Sequence, residues 1–508
     1  MQRNFDPLKN DGTFTYLVKM KKLIIVLTIL VLGLNKSFGQ FQTGMPTSNL
    51  AGVMGITVNP ANTNYLNNGT DFMLFSMSGG IMNNGFYLNP KPIPSFLSPD
   101  LISSFTSKPA SGEKEKINET FDRVFNIQRS LKNRNYIFAD LTIYGPSLLI
   151  NFKKHSYGFT SALKTASSTV NLAPEMAIFM LKGSNAIELQ EKSFDWNRVV
   201  SGTLVYTDIA FNYSYEIANT YKSKHRFGLS AHYLNGINAI DIADMGGTRW
   251  TFTGDSTIAL TGGNFRYNYA ATKSGKINEL MESRGRGFAF DIGYTYVRKK
   301  KSLPTVITLC PNIRYGGSVR SYQEYKWKLG MSIMDIGKID FNNQTVATNY
   351  VNATGNSKNL DLEFYKGLFA LDRRLEFDFS GIGNVEYERT KEYTHYTATR
   401  FQFQFDYNYK NNLFFNISGS QRLPVPGTIS MMAPNILSLT TRYEKLKYEF
   451  GAPISLIEYQ YPIMGFYFRY GPFYLGTNHL LEMVGVRNIR GADIFFGLKF
   501  NFSNFKGV

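Results

Sequence analysis

Apolar and polar residues change places at every second position along much of this chain. In 205–217, Val205, Thr207, Ile209, Phe211, Tyr213, Tyr215 and Ile217 share one face, opposite Tyr206, Asp208, Ala210, Asn212, Ser214 and Glu216. In 401–410, Phe401, Phe403, Phe405, Tyr407 and Tyr409 oppose Gln402, Gln404, Asp406, Asn408 and Lys410. Segments 287–296 and 446–456 alternate in the same way. A period of two belongs to a β-strand, whose successive side chains point to opposite faces. Soluble sandwich strands also alternate, but they usually run to about five or six residues with aliphatic inner faces. Here the runs are about ten residues long, the length of a strand that crosses a bilayer. Rings gather towards the strand ends, as at Tyr294/Tyr296 and Tyr407/Tyr409, where an interfacial girdle belongs.

Further alternating stretches occur near 70–79, 136–144, 147–153, 157–164, 225–235, 305–315, 323–334, 413–421, 436–444, 463–470 and 473–481. The pattern therefore predicts an all-β fold, a transmembrane antiparallel β-barrel of 12–16 strands with 14 as the best number. Ile494, Phe496, Leu498, Phe500 and Phe502 share a face of the last strand. An aromatic close of this kind suits recognition by the barrel-assembly machinery. Residues 88–112, with Pro90, Pro92, Pro94, Pro99 and Pro109, read as a loop. Ile117, Phe121, Val124, Phe125 and Leu131 follow at helical spacing and predict one amphipathic helix, within an insertion over 88–135. Pro174 and Gly183 bracket a short apolar helical turn. Segment 338–376 is expected to be a long loop.

Residues 20–39 form an export signal. Lys21 and Lys22 precede an apolar run over 23–34, and Ser37, Phe38 and Gly39 lead to Gln40, with cleavage expected between Gly39 and Gln40. Residues 1–19 are polar and mixed, and read as an over-extended N-terminus ahead of Met20. Past residue 34 no run of 18 apolar residues appears, so helices do not carry the chain across a membrane. An exported, lipid-compatible chain then has a closed barrel as its way of pairing every backbone group. The expected organisation is signal 20–39, an N-terminal hatch-like segment 40–69 and a barrel over 70–508, in the outer membrane and in contact with its lipid.

Composition agrees. The 508 residues include 41 Phe, 32 Tyr and 44 Gly, and only 18% are charged, below the roughly 25% of soluble domains. The net charge of +17 raises the question of nucleic acid, but the cations are scattered or sit at strand ends, as at Arg298, Lys299, Lys300 and Lys301. No nucleic-acid partner is expected, and anionic head groups suit such positions. The lone Cys310 cannot form an internal disulfide.

Chemistry is sparse. His155, His225, His232, His395 and His479 have no metal-binding spacing, and neither HExxH nor GxSxG occurs. Ser230, His232 and Arg226 share a polar strand face, but side chains two apart lie roughly 7 Å from one another, too far for a direct nucleophile–base bond. No enzyme activity, metal or cofactor is expected. The candidate lumen-facing residues are Asp208, Glu216, Asp291, Gln402, Gln404, Asp406 and Arg469. They either tune a conduit or pair with one another inside a plugged barrel, and pairing is the commoner fate.

The run over 55–61, with Asn59, Pro60 and Ala61, resembles the opening of FadL-type barrels, which move long-chain fatty acids and other hydrophobic molecules. It is also similar to the related PorV-type barrels of Bacteroidota type IX secretion. Later stretches, 284–296, 332–337, 453–456, 469–472 and 491–499, look like an uncharacterised Bacteroidota family of outer-membrane barrels, the domain of unknown function 5723. That resemblance spans about residues 50–503. It implies compartment and architecture and brings no catalytic residues. Transport of a small hydrophobic ligand is the leading expectation. A scaffold or binding barrel, for example an accessory of secretion or gliding, is the alternative. A lateral opening next to a kinked strand, with an apolar pocket under residues 40–69, favours the first, and a fully closed, plugged barrel with long ordered loops, such as one over 338–376, favours the second.

Overall fold

The computed structural model describes residues 43–63, 68–88, 127–129, 131–132, 134–184, 186–196, 198–254, 256–271, 282–300, 325–360, 368–379, 386–410, 412–424 and 430–503. The signal 20–39 with Gly39 and Gln40, residues 1–19, Cys310 and the candidate strand 305–315 lie outside them.

Fourteen antiparallel strands close on themselves. They are β1 (Asn68–Asn83), β2 (Asn135–Tyr144, continued by Ser147–Phe152), β3 (His155–Leu172), β4 (Val200–Asn219) and β5 (Ser223–Asp244). Then come β6 (Gly285–Lys299), β7 (Tyr325–Phe341), β8 (Tyr393–Tyr396, continued by Arg400–Lys410), β9 (Leu413–Arg422) and β10 (Ile436–Glu444). The last are β11 (Tyr448–Ile457), β12 (Tyr461–Met464, continued by Phe466–Tyr470), β13 (Phe473–Thr477) and β14 (Gly491–Ser503). Pairing of β1 with β14, from Gly69↔Ser503 to Met82↔Gly491, closes the ring. Closure leaves no open sheet edge, the condition for a sheet to stand in lipid.

The two faces of the wall are sorted in the sense opposite to a soluble protein. Along β4, Phe211 is 64% exposed and Ile217 57%, while Asp208, Asn212, Ser214 and Glu216 are buried. Phe288, Phe290, Ile454, Ile494 and Phe502 repeat the pattern on β6, β11 and β14. Apolar outside and polar inside is the arrangement of a transmembrane barrel. Turns at one end are short, as at 153–154, 220–222, 445–447 and 471–472, and β14 finishes there. Most of the longer connections gather at the opposite end, called here the loop end, although residues 300–324 join β6 to β7 at the short-turn end.

Near the loop end the wall branches. The first part of β5 pairs with β6, while Ala239–Asp244 pairs instead with a strand over Thr257–Ala270. That strand joins Arg249–Phe252 and Thr345–Lys358, and the latter pairs with Glu386–Thr390. The result is an annex sheet accompanied by the helices Pro174–Lys182 and Leu368–Phe379. The long loop expected over 338–376 is therefore corrected: β7 continues to Phe341, a strand fills 345–358, and a helix begins at Leu368. The pattern there lacks rings on alternate positions because one face lies over protein, not lipid. Gly183, at φ 78, ends the Pro174 helix and donates its N–H to Phe179 O. The helix expected over 117–131 is also corrected at its end: Ile127–Arg129 is a strand paired with Phe86–Leu88, where cross-strand pairing overrides the helical spacing. The rest of that stretch lies outside the described residues. The candidate strand 473–481 stops at Thr477, and Leu480–Met483 is a helical turn.

Candidate functional site

Residues 43–63 run inside the barrel. Met45, Ala51, Val53, Met54 and Ile56 pack on inward wall residues including Met73, Tyr144, Leu149, Tyr467 and Phe495. Asn59 is clasped between β6 and β7, its Nδ2 donating to Tyr294 O (3.2 Å) and Met331 O (3.3 Å). Its Oδ1 accepts from Ala61 N at 2.9 Å, which turns the chain at Pro60. Wall glycines make the room. A Cβ on Gly293 would lie 2.2 Å from Asn59 Oδ1, and one on Gly228 would lie 2.4 Å from the Pro60 carbonyl carbon. Pro60 O accepts from Asn212 Nδ2 (3.2 Å), and Ala61 is buried.

Ions hold the remainder of this segment. Asp71 on β1 accepts from Val53 N (3.1 Å) and pairs with Lys499 (3.3 Å), and Lys499 also donates to Leu50 O. Arg226 donates to Thr63 Oγ1 and to Ser156 Oγ (2.6 Å). Asn49 donates to Tyr325 Oη (2.8 Å) and accepts from Lys328 Nζ (3.2 Å).

All seven candidate lumen residues are placed on wall strands, in paired networks with one exception. Glu216 meets Lys224 at 2.7 Å and Arg226 at 3.5 Å. Asp208 pairs with Lys164 at 2.6 Å and with His232 Nδ1 at 2.9 Å, and His232 Nε2 reaches Asp291 at 2.8 Å. Asp291 Oδ1 accepts from Asp335 N at 2.7 Å, and Asp335 pairs with Arg400. Asp406 lies against Arg442 (3.2 Å), which also meets Glu444 at 2.8 Å, and Arg469 meets Glu449 at 3.3 Å. With its amide turned so that the nitrogen faces Val58 O (2.9 Å) and the oxygen faces Arg400 Nε (2.7 Å), Gln402 satisfies both groups. Gln404 is the exception: both amide atoms are buried without a partner. Ser230 bonds to Asn212 (3.0 Å), while both His232 nitrogens face carboxylates, so the two do not form a nucleophile–base pair.

Above the N-terminal segment lies a cavity of about 140 Å³. Val58 and Asn59 border it below, Tyr206 and Gln404 at the sides, and Met431 and Met432 from the loop after β9 above. It reaches Thr397 and Ala398, where β8 is interrupted. A second hollow of about 40 Å³ shares Thr397, Met431 and Met432 with it and continues to Leu423 and Pro424. The interruption has a local cause. Asp335 on β7 takes φ 57, shifting the register against β6 between Ile333 and Ile336. Opposite, Thr397 Oγ1 donates to the Asp335 and Gly337 carbonyls at 2.7 and 2.9 Å, and Thr399 Oγ1 to Asp335 O at 2.9 Å. Side chains take over the Asp335 carbonyl, while Gly337 O still accepts from Thr397 N at 3.1 Å as well as from its hydroxyl.

Sequence reasoning missed Lys164, Lys328 and Arg442, whose strands alternate less plainly, and Lys499, on the plainly alternating last strand. It also missed the break at 397–399, signalled only by a lapse in alternation before Arg400.

These features define a closed 14-strand transmembrane barrel with an internal N-terminal segment and an interrupted wall strand. The chain belongs to the family of unknown function DUF5723, whose model matches residues 95–478. Among solved structures it is similar to a FadL homologue of Pseudomonas aeruginosa, with 9% identity, 89% of this chain and 94% of that one covered, and a TM-score of 0.38. The CymD monoaromatic hydrocarbon channel gives 9% identity, 92% and 97% coverage, and a TM-score of 0.37. The P. putida toluene transporter TodX gives 10% identity, 89% and 94% coverage, and a TM-score of 0.27. No curated protein matches the chain.

Proposed function

We propose that this protein is an outer-membrane barrel that passes a small hydrophobic molecule from its lumen sideways, through the wall interruption at 397–399, into the bilayer. The observation that carries this reading is the cavity of about 140 Å³ lying directly against that interruption. An engineered apolar cavity of about 150 Å³ is known to stay dry and take benzene, so the volume suits a molecule of about one ring. Its lining joins the Tyr206, Phe403 and Met431 side chains to many polar ones, the free Gln404 amide and the charged Lys164, Asp335 and Arg400 among them, so apolar surface for a ring stands beside groups that can orient it.

Straight passage is opposed by residues 43–63, which act as a hatch in this reading and occupy the lumen on the side of the short turns. Leaving sideways needs no movement of that segment. Asp335, Arg400, Thr397 and Thr399 then serve as the frame that keeps the interruption in place. The exposed rings of β14, Phe502 among them, present the final strand to the assembly machinery.

The test is uptake of a radiolabelled alkylbenzene into cells or liposomes carrying the full barrel. Ala398→Trp is expected to cut uptake to near background while heat-modifiable gel mobility stays unchanged. Unchanged uptake in a correctly folded Ala398→Trp barrel would contradict the sideways route.

A further inference from the structure

A second apolar chamber, of about 110 Å³, lies at the loop end beneath the annex sheet, separate from the lumen cavity. Leu172 and Met176 line it from β3 and the following helix, Ile242 from β5, and Leu371 and Leu375 from the helix Leu368–Phe379. No charged side chain is among its lining residues. Trp196 and Trp250 also line it, side by side with ring centroids 5.3 Å apart.

Both indoles are more than nine-tenths buried, and the Nε1 of each lacks a hydrogen-bond partner. The Tyr267 hydroxyl, in the same lining, is likewise buried without one. Folded proteins leave few buried donors unpaired. Water is a poor answer here: of the lining hydroxyls that could accept from it, Thr169 and Ser201 already bond to each other at 2.8 Å, which leaves Tyr267 Oη, and a buried water needs several polar partners. An indole N–H can only donate. The complementary atom is therefore a bare acceptor, such as a carbonyl oxygen with two lone pairs and no hydrogen to place.

We infer that this chamber is a ligand site for a small, uncharged molecule with an apolar body of about one ring and a carbonyl-type acceptor, bound through the indole N–H groups of Trp196 and Trp250. The site is independent of whether the lumen passes anything. It would give the loop end its own selectivity, for acceptor-bearing molecules over plain hydrocarbons.

The chain has three tryptophans, and the third, Trp327, stands near the opposite end of the barrel beside Tyr296 and Phe405. The test uses the full chain in detergent micelles, with ¹⁵N-labelled tryptophan and the three indole signals followed by NMR. The two probes are acetophenone and isopropenylbenzene, in which a CH₂ group replaces the carbonyl oxygen. Acetophenone is expected to move the Trp196 and Trp250 signals, leave Trp327 in place, and bind roughly tenfold tighter than the hydrocarbon, the worth of one buried hydrogen bond. Trp196→Phe or Trp250→Phe should reduce that preference while the hydrocarbon affinity holds, and Trp327→Phe should leave it intact. Equal binding of the two probes, no binding of either, or movement of Trp327 in step with the other two would overturn the site.

Discussion

Asp335 and Arg400 form an ion pair across the point where β7 shifts register and β8 is interrupted. Both side chains are largely buried, and the Asp335 backbone also meets Asp291, Thr397 and Thr399. One residue thus ties the bulge, the interruption and the charged chain through His232 into a single assembly.

Removing that tie should loosen the frame. Asp335→Ala leaves Arg400 without its carboxylate, and we expect a loss of about 1–3 kcal/mol in urea unfolding followed by gel mobility. Uptake of an alkylbenzene should rise in the same variant. Wild-type stability together with wild-type uptake would show that the pair does not hold the break.

The glycines around Asn59 give a second expectation. Because a Cβ at Gly293 would sit 2.2 Å from Asn59 Oδ1, Gly293→Ala must displace the clasp. Overpacking of this kind costs about 1–3 kcal/mol. Hydrogen exchange should accelerate within 43–63 and stay slow in β6 and β7. Unchanged exchange in 43–63 would mean that this contact does not anchor the segment.

Arg442 is fully buried against Asp406 and Glu444. Arg442→Met strands those carboxylates in the interior, with an expected cost of about 3–5 kcal/mol. Adding Glu444→Gln should return part of the loss, because one buried charge is removed with its partner. A double variant no more stable than the single one, measured by the same unfolding assay, would contradict the pairing.

The loop after β13 is expected to respond to pH. His479 is buried, which disfavours its charged form, but its hydrogen bond to Asp493 and the charges of Asp493 and Glu482 outweigh burial and raise its pKa above 6.5. Burial raises Glu482 as well, against the opposing pull of His479, Tyr461 and Arg487, while Arg487 and Arg490 stack on the Tyr461 ring. A raised histidine stabilises fully below its unfolded value and loses that contribution as pH rises through the folded value. The raised Glu482 works in the same direction. Protease cleavage in 478–490 should therefore increase as pH climbs from about 6, and His479→Gln should flatten the dependence. Tightening of the loop with rising pH would reverse the sign and refute the assignment.

Much of the wall was legible because lipid on one side and polar groups on the other impose a strict period of two. The runs at 205–217, 287–296 and 401–410 lie within β4, β6 and β8, and the best strand number of 14 agrees with the closed ring. The annex was not legible. Phe265, Tyr267 and Tyr269 alternate just as Phe211, Tyr213 and Tyr215 do, yet the first three are buried in a core while the second three are exposed. Alternation reports two unlike faces and not what each face meets. The charge networks were half legible: their acids stood out on polar faces, but many of their partners lie on other strands, such as Lys164 for Asp208, 44 residues away. Such pairings follow from register, which sequence pattern alone leaves open.

The sorting of the wall, rings to lipid and polar groups to the lumen, is most directly tested by spin labels. With Cys310→Ser as background, labels at Phe211→Cys, Phe290→Cys and, as a loop-end control, Met245→Cys would be read in liposomes. Positions 211 and 290 should collide freely with dissolved oxygen and be shielded from a water-soluble nickel chelate, whereas 245 should meet both. Labels at 211 and 290 that meet the chelate as freely as 245, or that meet neither reagent, would contradict a lipid-facing wall.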